Sequence, residues 1–254
     1  MRNKVITMCS RDYFQYGQKL LDTRHIVDAD FVCYGPDLTD DQIEILMAHD
    51  IQYKTVNKDI WDTWMQSLKF QFIMDEIDAD LDAVNGKYGV TFVDWDTYFL
   101  KDWKHIFKDK FCLGITVRPE YIDHNKMYRA WANGGVIFAS AGCGATMCKR
   151  ALIDIGNGTS AQFPEYNKIW KTLEEGRTPE KTHYRTNKRW WGDQIYLSAI
   201  VMHNHHLVSD DYGLNIKLFD CKQYNNMWEE TPDTYIMHLK EKSGAPGSLK
   251  DGKK

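Results

Sequence analysis

VTFVDWD, residues Val90 to Asp96, turns from apolar to acidic in one step. A short apolar, β-branched run that ends abruptly in carboxylates reads as a buried strand stopping where it meets solvent. Asp94 and Asp96, at i and i+2, then stand just past the end of that strand. In open α/β sheets the space beyond the carboxyl ends of the strands is where ligands bind. A hard divalent cation takes oxygen ligands, and Mg²⁺ or Mn²⁺ is held by a few carboxylates together with diphosphate oxygens. Asp78-Ala79-Asp80 and Asp80-Leu81-Asp82 share the Asp-x-Asp spacing. They fall on the exposed face or end of a helical stretch, so the strand context sets Asp94 and Asp96 apart. The plainer alternative makes both of them solvated loop acids.

Working outward, strands and helices alternate. Lys4 to Ser10 and Ala29 to Tyr34 read as buried strands, the second stopped by Gly35-Pro36. Arg11 to Val27 between them carries apolar residues at helical spacing. Thr39 and Gln42 form a capping-box signature for a helix to about His49, before a strand at Ile51 to Val56. Ile60 to Val84 predicts one long helix, with Trp61, Trp64, Leu68, Phe72, Ile73 and Ile77 on one face and Asn85-Gly86 ending it. Further strands are expected at Phe111 to Val117, Gly135 to Ala139 and Tyr235 to Met237. Helices are expected at Met147 to Ile155 and from Asp193 to Met202. Gly156 to Arg189 reads as a polar, irregular insertion. The pattern predicts one α/β domain over residues 1–242, mostly parallel in its first half, with a Gly/Lys/Ser-rich tail at residues 243–254.

The chain has 254 residues, enough to bury a core without staples, and its formal net charge of -4 argues against indiscriminate nucleic-acid binding. Cys9, Cys33, Cys112, Cys143, Cys148 and Cys221 form no CxxC pair, so they read as free thiols in a reducing compartment without a structural zinc. No stretch reaches the length of a membrane helix, and no secretory pattern opens the chain.

Four segments, in order, are VTFVDWDTYF (Val90 to Phe99), ANGGVIFA (Ala132 to Ala139), WWGDQIYLS (Trp190 to Ser198) and YIMHLKEKSG (Tyr235 to Gly244). Together they resemble the GT-A glycosyltransferases, particularly the glycogenin and galactosyltransferase-like group of family 8. The resemblance implies a GT-A, Rossmann-like mixed sheet flanked by helices. It implies transfer of a sugar from a nucleoside-diphosphate sugar, with uridine diphosphate as the nucleotide, to an acceptor hydroxyl with retention of configuration. It implies that Asp94, Asp96 and His238 hold Mn²⁺ or Mg²⁺, with Asp94 and Trp95 also near the donor. Asn133, Gly134 and Gly135 would line the sugar pocket, and Asp193 and Gln194 would meet the transferred sugar or the acceptor. Lys240 or Lys242 would meet the diphosphate, Lys69 would lie near the donor, and the loop Cys9, Ser10, Arg11 and Asp12 would cradle the base. The sequence departs from the family where His238 is followed by Leu-Lys-Glu-Lys-Ser-Gly, which displaces the expected glycine. Relatives in animal secretory organelles carry a membrane anchor, so its absence points to a cytoplasmic enzyme of a bacterium or a virus.

Several residues keep a second reading. His238 could be an ordinary half-buried histidine, Asp193 an N-cap, Asn133-Gly134-Gly135 a turn, and Trp190 and Trp191 core rather than sugar platforms. The histidines of Met202 to His206 match no metal spacing and read as surface or loop residues. Arg177 to Arg189 is basic; it is either a solvated loop or an acceptor groove for a polyanion, such as bacteriophage DNA carrying a hydroxylated base. A glycan or lipopolysaccharide-type acceptor is the alternative. The competing classes are a nucleotidyltransferase, opposed by the lack of glycine in Cys9 to Phe14, and a non-catalytic sugar-binding protein.

Overall fold

The computed structural model describes residues 3–109, 111–123, 131–175, 188–206 and 215–239. The strands are β1 (Asn3–Met8), β2 (Ala29–Gly35), β3 (Ile51–Thr55), β4 (Gly89–Val93), β5 (Thr97–Phe99), β6 (Leu113–Val117), β7 (Ala132–Ser140), β8 (Ile216–Asp220) and β9 (Ile236–His238). The α-helices are α1 (Gln18–Thr23), α2 (Asp40–Ala48), α3 (Lys58–Trp64), α4 (Leu68–Asp78), α5 (Leu81–Val84), α6 (Pro119–Asp123), α7 (Ala141–Asn157), α8 (Pro164–Glu175), α9 (Lys188–His206) and α10 (Cys221–Tyr224).

Seven strands form one sheet in the order β3-β2-β1-β4-β7-β6-β8, and β5 pairs with β9 in a separate two-stranded ribbon. β1 to β4 run parallel; β7 runs antiparallel to both β4 and β6, and β8 is parallel to β6. The expectation of a mixed α/β sheet, parallel in its first half, therefore holds. Because side chains alternate along a strand, the sheet feeds two cores. Ile6, Val90, Phe92, Ile115 and Ile137 meet Trp61, Phe72, Ile73, Cys148, Tyr196 and Ile200 on one face. Val5, Phe31, Val93, Val136 and Phe138 meet Leu20, Leu46, Phe99, Trp103 and Tyr224 on the other.

The capping box at Thr39 and Gln42 forms as expected, and Gly86 adopts φ 70 just past α5. The long helix expected from Ile60 to Val84 is instead three. Ser67 and Leu68 close tight turns onto Trp64 and Met65, and extended Asp80 caps α5 by accepting from the Asp82 N–H. Trp61, Leu68 and Phe72 still enter one core, so apolar spacing carries no mark of these breaks. α7 runs on past Gly156 to Asn157 and ends at Gly158, whose φ of 67 suits a left-handed cap. The stretch expected to be irregular after Gly156 contains α8, which buries Tyr166, Ile169 and Trp170.

The cysteine expectation needs correction. Cys112, one residue before β6, and Cys143, in the first turn of α7, form a disulfide with Cα atoms 5.1 Å apart. The Ser140 N–H donating to the Cys112 carbonyl brings the two segments side by side. Cys9, Cys33, Cys148 and Cys221 remain free and buried. The cysteines thus give no support for a reducing compartment. Among the described residues no helix is long and apolar enough to cross a membrane.

Candidate metal and donor site

β1, β4, β6 and β8 all end at one edge of the sheet, and antiparallel β7 begins there. The Asp94 N–H donates to the Gly135 carbonyl at 2.8 Å, which places the first acid of the Asp-x-Asp pair opposite the double glycine. Alternation then separates the three residues at the end of β4. The Trp95 side chain lies in the core, its indole N–H donating to the Phe14 carbonyl at 2.9 Å. Its ring fills the space where a Cβ on Gly17 would sit, so it anchors the motif from behind.

β9 supplies the third member of the cluster. Thr97 and His238 are register partners in the β5–β9 ribbon, and the Leu239 N–H donates to the Asp96 carbonyl. His238 Nε2 consequently lies 3.2 Å from Asp96 Oδ1 and 3.4 Å from Asp94 Oδ2. One ligand atom from each residue falls within 4.8 Å of the others. His238 and Asp96 are buried; Asp94, with its side chain 16% exposed, is the open side of the cluster.

The ring of His238 is fixed from behind. Asn225 directs its Nδ2 at Thr116 Oγ1 (3.1 Å) and the Asn133 carbonyl (3.5 Å), both hydrogen-bond acceptors here. Its Oδ1 therefore faces His238 Nδ1 at 2.9 Å and accepts from it. In the neutral imidazole this leaves the lone pair of Nε2 aimed between two carboxylates, and among the described residues the buried Nε2 has no hydrogen-bond partner. Two carboxylates and an imidazole lone pair converging on one point form a donor set that attracts a cation. Oxygen-rich ligation with one imidazole suits Mn²⁺ or Mg²⁺. The donor set fits the divalent metal that the sequence implied.

Tyr13 completes the arrangement. Its hydroxyl donates to Asp96 Oδ2 at 2.8 Å, leaving Oδ1 for the cluster. Burial and the adjacent Asp96 carboxylate push the phenol well above its usual range, so it stays protonated and keeps donating. Tyr13, Asn225 and Thr116 were not singled out from the sequence. The loop reading stopped at Asp12, one position short of Tyr13; nothing local marks Asn225 or Thr116.

Beside the cluster, Lys69 from the first turn of α4 pairs with Asp193 Oδ2 at 2.7 Å and donates to the Gly134 carbonyl at 2.9 Å. Both charged side chains are buried. A Cβ on Gly134 would come within 2.6 Å of Asp193 Oδ2. On Gly135 it would come within 2.6 Å of His238 Cε1 and 2.9 Å of Asp94 Oδ2. The two glycines are needed for close approach in the middle of a strand, not for a turn. Asn133 Oδ1 accepts from the Gly135 N–H at 3.1 Å and braces this segment. Asp193 lies inside α9 and so does not cap it; Gln194, next to it, is half-buried.

The loop after β1 is tied across to the loop after β2. Arg11 donates from its backbone N–H to Asp37 Oδ1 and from Nε to the Asp37 carbonyl. Cys9 is buried, with burial holding its thiol well above the usual range; Ser10 is half-buried and Asp12 exposed. Lys240 and Lys242 lie outside the described residues, as do positions 177–187 of the basic stretch, the tail, and the side chains of Lys188, Arg189, Trp190 and Trp191. His203, expected on the surface, is a buried residue of α9 with Nδ1 3.1 Å from Glu165 Oε2; the side chains of His205 and His206 lie outside the described set.

No protein-family profile matches the chain, and a search of curated proteins returns no match. Solved structures do match. The crystal structure of mouse xyloside xylosyltransferase 1, in its apo form, superposes with a TM-score of 0.52 over 94% of this chain and 97% of that one, at 11% identity. At that identity the likeness is one of fold: a mixed seven-stranded sheet flanked by helices in a single α/β domain, similar to a GT-A glycosyltransferase.

Proposed function

We propose that the protein is a metal-dependent glycosyltransferase that moves a sugar from a nucleoside-diphosphate sugar, with uridine the expected base, onto an acceptor hydroxyl. The observation that carries this reading is the convergence of Asp94, Asp96 and the orphaned His238 Nε2 at the ligand edge of a sheet whose fold is that of a sugar transferase. When bound, Mn²⁺ or Mg²⁺ would be held by these three residues and would neutralise negative charge developing on the departing diphosphate. The chain does the rest. Tyr13 and Asn225 hold two of the ligands in fixed orientations, so little rearrangement accompanies the reaction. Lys69 fixes Asp193 beside Gly134, on the side where the sugar would lie. Asp193 Oδ2 is already engaged by the Lys69 ammonium and turned toward Gly134. That favours retention, in which the leaving phosphate takes the acceptor proton.

The glycogenin and galactosyltransferase-like assignment and a lysine on the diphosphate rest on the motifs alone. A DNA acceptor rests on the basic stretch Arg177 to Arg189 alone, whose side chains lie outside the described set. The test is a thermal-shift and turnover screen of nucleotide sugars with and without Mn²⁺, comparing the native protein with Asp96→Asn. Metal-dependent stabilisation and release of nucleoside diphosphate, both lost in the variant, are expected. If no nucleotide sugar binds, the transferase reading fails.

A further inference from the structure

The loop between α10 and β9 presents a feature that the donor site does not use. Trp228 is 43% exposed, whereas every other described Phe, Tyr or Trp side chain is buried or half-buried. The other exposed large hydrophobics are non-aromatic; Ile45, Met47, Ile60, Leu81 and Ile153 sit on helices and Leu218 on β8. An indole left in water on an otherwise well-buried set of aromatics is a surface with an unmet partner.

The loop that carries it is built to be still. Buried Asn226 donates from Nδ2 to the Glu229 carbonyl at 2.6 Å and to Thr234 Oγ1 at 3.1 Å, and its Oδ1 accepts from the Trp228 N–H at 2.9 Å. Thr234 Oγ1 also accepts from the Thr231 N–H at 3.1 Å. The loop is pinned to the site itself. Asn225, which holds His238, precedes Asn226, and Met227 places its sulfur 3.7 Å from Asn133 Nδ2. Three residues of extended chain span at most about 11 Å, so the Trp228 backbone lies within that reach of Asn225.

Charge narrows the ligand. Glu229, Glu230 and Asp233 are exposed on the same short loop. Glu230 is taken by the Tyr98 hydroxyl at 2.6 Å, while among the described residues the Glu229 carboxylate has no hydrogen bond or ion pair. Exposed Lys222, Lys101, the latter on the Pro232 carbonyl, and Lys19, 4.7 Å over the Tyr98 ring, are cations nearby. Three carboxylates interleaved with three lysines make no basic patch for a polyanion. A flat apolar ring beside an uncommitted carboxylate matches a pyranose, which offers one C–H face for stacking and hydroxyls at its edge for hydrogen bonds.

We propose that Trp228 and Glu229 form the acceptor subsite of this enzyme, and that the acceptor group they hold is an uncharged sugar ring. The inference rests on the transferase reading above and adds the chemical class of the acceptor. The test uses the full chain with Mn²⁺ and the donor identified by the screen. A panel of p-nitrophenyl hexosides and pentosides is offered as acceptors, with a single-stranded oligonucleotide as the polyanionic competitor. Trp228→Ala is expected to raise the KM for the accepted glycoside roughly tenfold or more, with donor KM changing by less than about threefold. Trp228→Phe is expected to recover most of the loss, and Glu229→Gln to give a smaller rise in the same acceptor KM. Melting temperatures near that of the native protein check that the variants fold. An unchanged acceptor KM in Trp228→Ala overturns the proposal and leaves the transferase reading standing, as does turnover of the oligonucleotide with no glycoside accepted. Absence of any metal-dependent donor turnover in the native protein sinks the transferase reading and this inference with it.

Discussion

Replacing Gly135 by alanine probes the metal site without substituting any ligand. The added Cβ would lie 2.6 Å from His238 Cε1, 2.8 Å from His238 Nδ1 and 2.9 Å from Asp94 Oδ2. Ordinary contact begins near 3.4 Å, so the imidazole edge or the β7 backbone must move by about 0.8 Å. The ring has no free direction: Asn225 holds Nδ1, and the ring is fully buried. Overpacking of this kind costs about 1–3 kcal/mol, which for a chain of this size lowers the melting temperature by roughly 2–12 °C. Metal ligation tolerates only about 0.2 Å of ligand displacement. Mn²⁺ affinity should therefore fall by at least about tenfold to a hundredfold, as when a supporting partner of a ligand is removed. Electron paramagnetic resonance of free Mn²⁺ in a titration reads this directly, and calorimetry reads the stability. Gly156→Ala is the control. Nothing lies within 4 Å of a Cβ there, and Gly156 is inside α7, so the variant should gain about 0.5–1 kcal/mol and bind Mn²⁺ as the native protein does. Native-like Mn²⁺ affinity in Gly135→Ala would refute the claim that the close approach of β7 shapes the site.

Asn225→Leu should lower Mn²⁺ affinity about tenfold to a hundredfold by freeing the His238 ring, whereas Asn225→Asp, which keeps an oxygen facing Nδ1, should recover much of it; equal affinities in all three proteins would contradict the positioning role. Lys69→Met leaves the buried Asp193 carboxylate unpaired and should cost about 3–5 kcal/mol in chemical denaturation, while Lys69→Met combined with Asp193→Asn should regain part of that loss. Glu76 is a pH probe. Burial alone would raise its pKa, but hydrogen bonds from Lys4, Lys54 and Tyr34 together hold it below the usual carboxylate value. A lowered folded pKa means the network stabilises the fold above the unfolded value of about 4.3 and is lost as pH falls through the folded value. The stability gap between the native protein and Glu76→Gln should be about 1–3 kcal/mol near neutral pH, moderated because Lys54 is 34% exposed, and should close only below about pH 4. A gap independent of pH down to pH 2 would contradict the ionic assignment.

What the sequence displayed and what it hid follow one physical division. VTFVDWD announced both a buried strand and its acidic end, because burial and charge are properties of single residues at period two. Thr39 with Gln42 announced its helix start because a capping box is local. The breaks at Ser67 and Asp80 were invisible, since the apolar face continues through them into one core. β5 is missed because it has three residues, and β8 because only Phe219 along it is buried. The roles of Tyr13, Thr116 and Asn225 depend on atoms brought together from distant positions, and no spacing rule encodes that. The Cys112–Cys143 bridge was hidden for the same reason: without a local motif, only the packing of α7 beside β6 shows which cysteines meet.

The β5–β9 ribbon has a consequence for how the protein matures. Asp94 and Asp96 emerge from synthesis well before the strand bearing His238, with β6, β7 and β8 between them. Pairings between segments so far apart in sequence form late, after the loop-closure entropy has been met. A nascent chain can thus complete most of its sheet and still lack a full ligand set. A cation that binds only the closed cluster would favour the finished state by mass action, acting as a clasp between the end of β4 and β9. Cation capture during refolding should accordingly lag behind formation of the sheet and report the moment at which the ribbon closes.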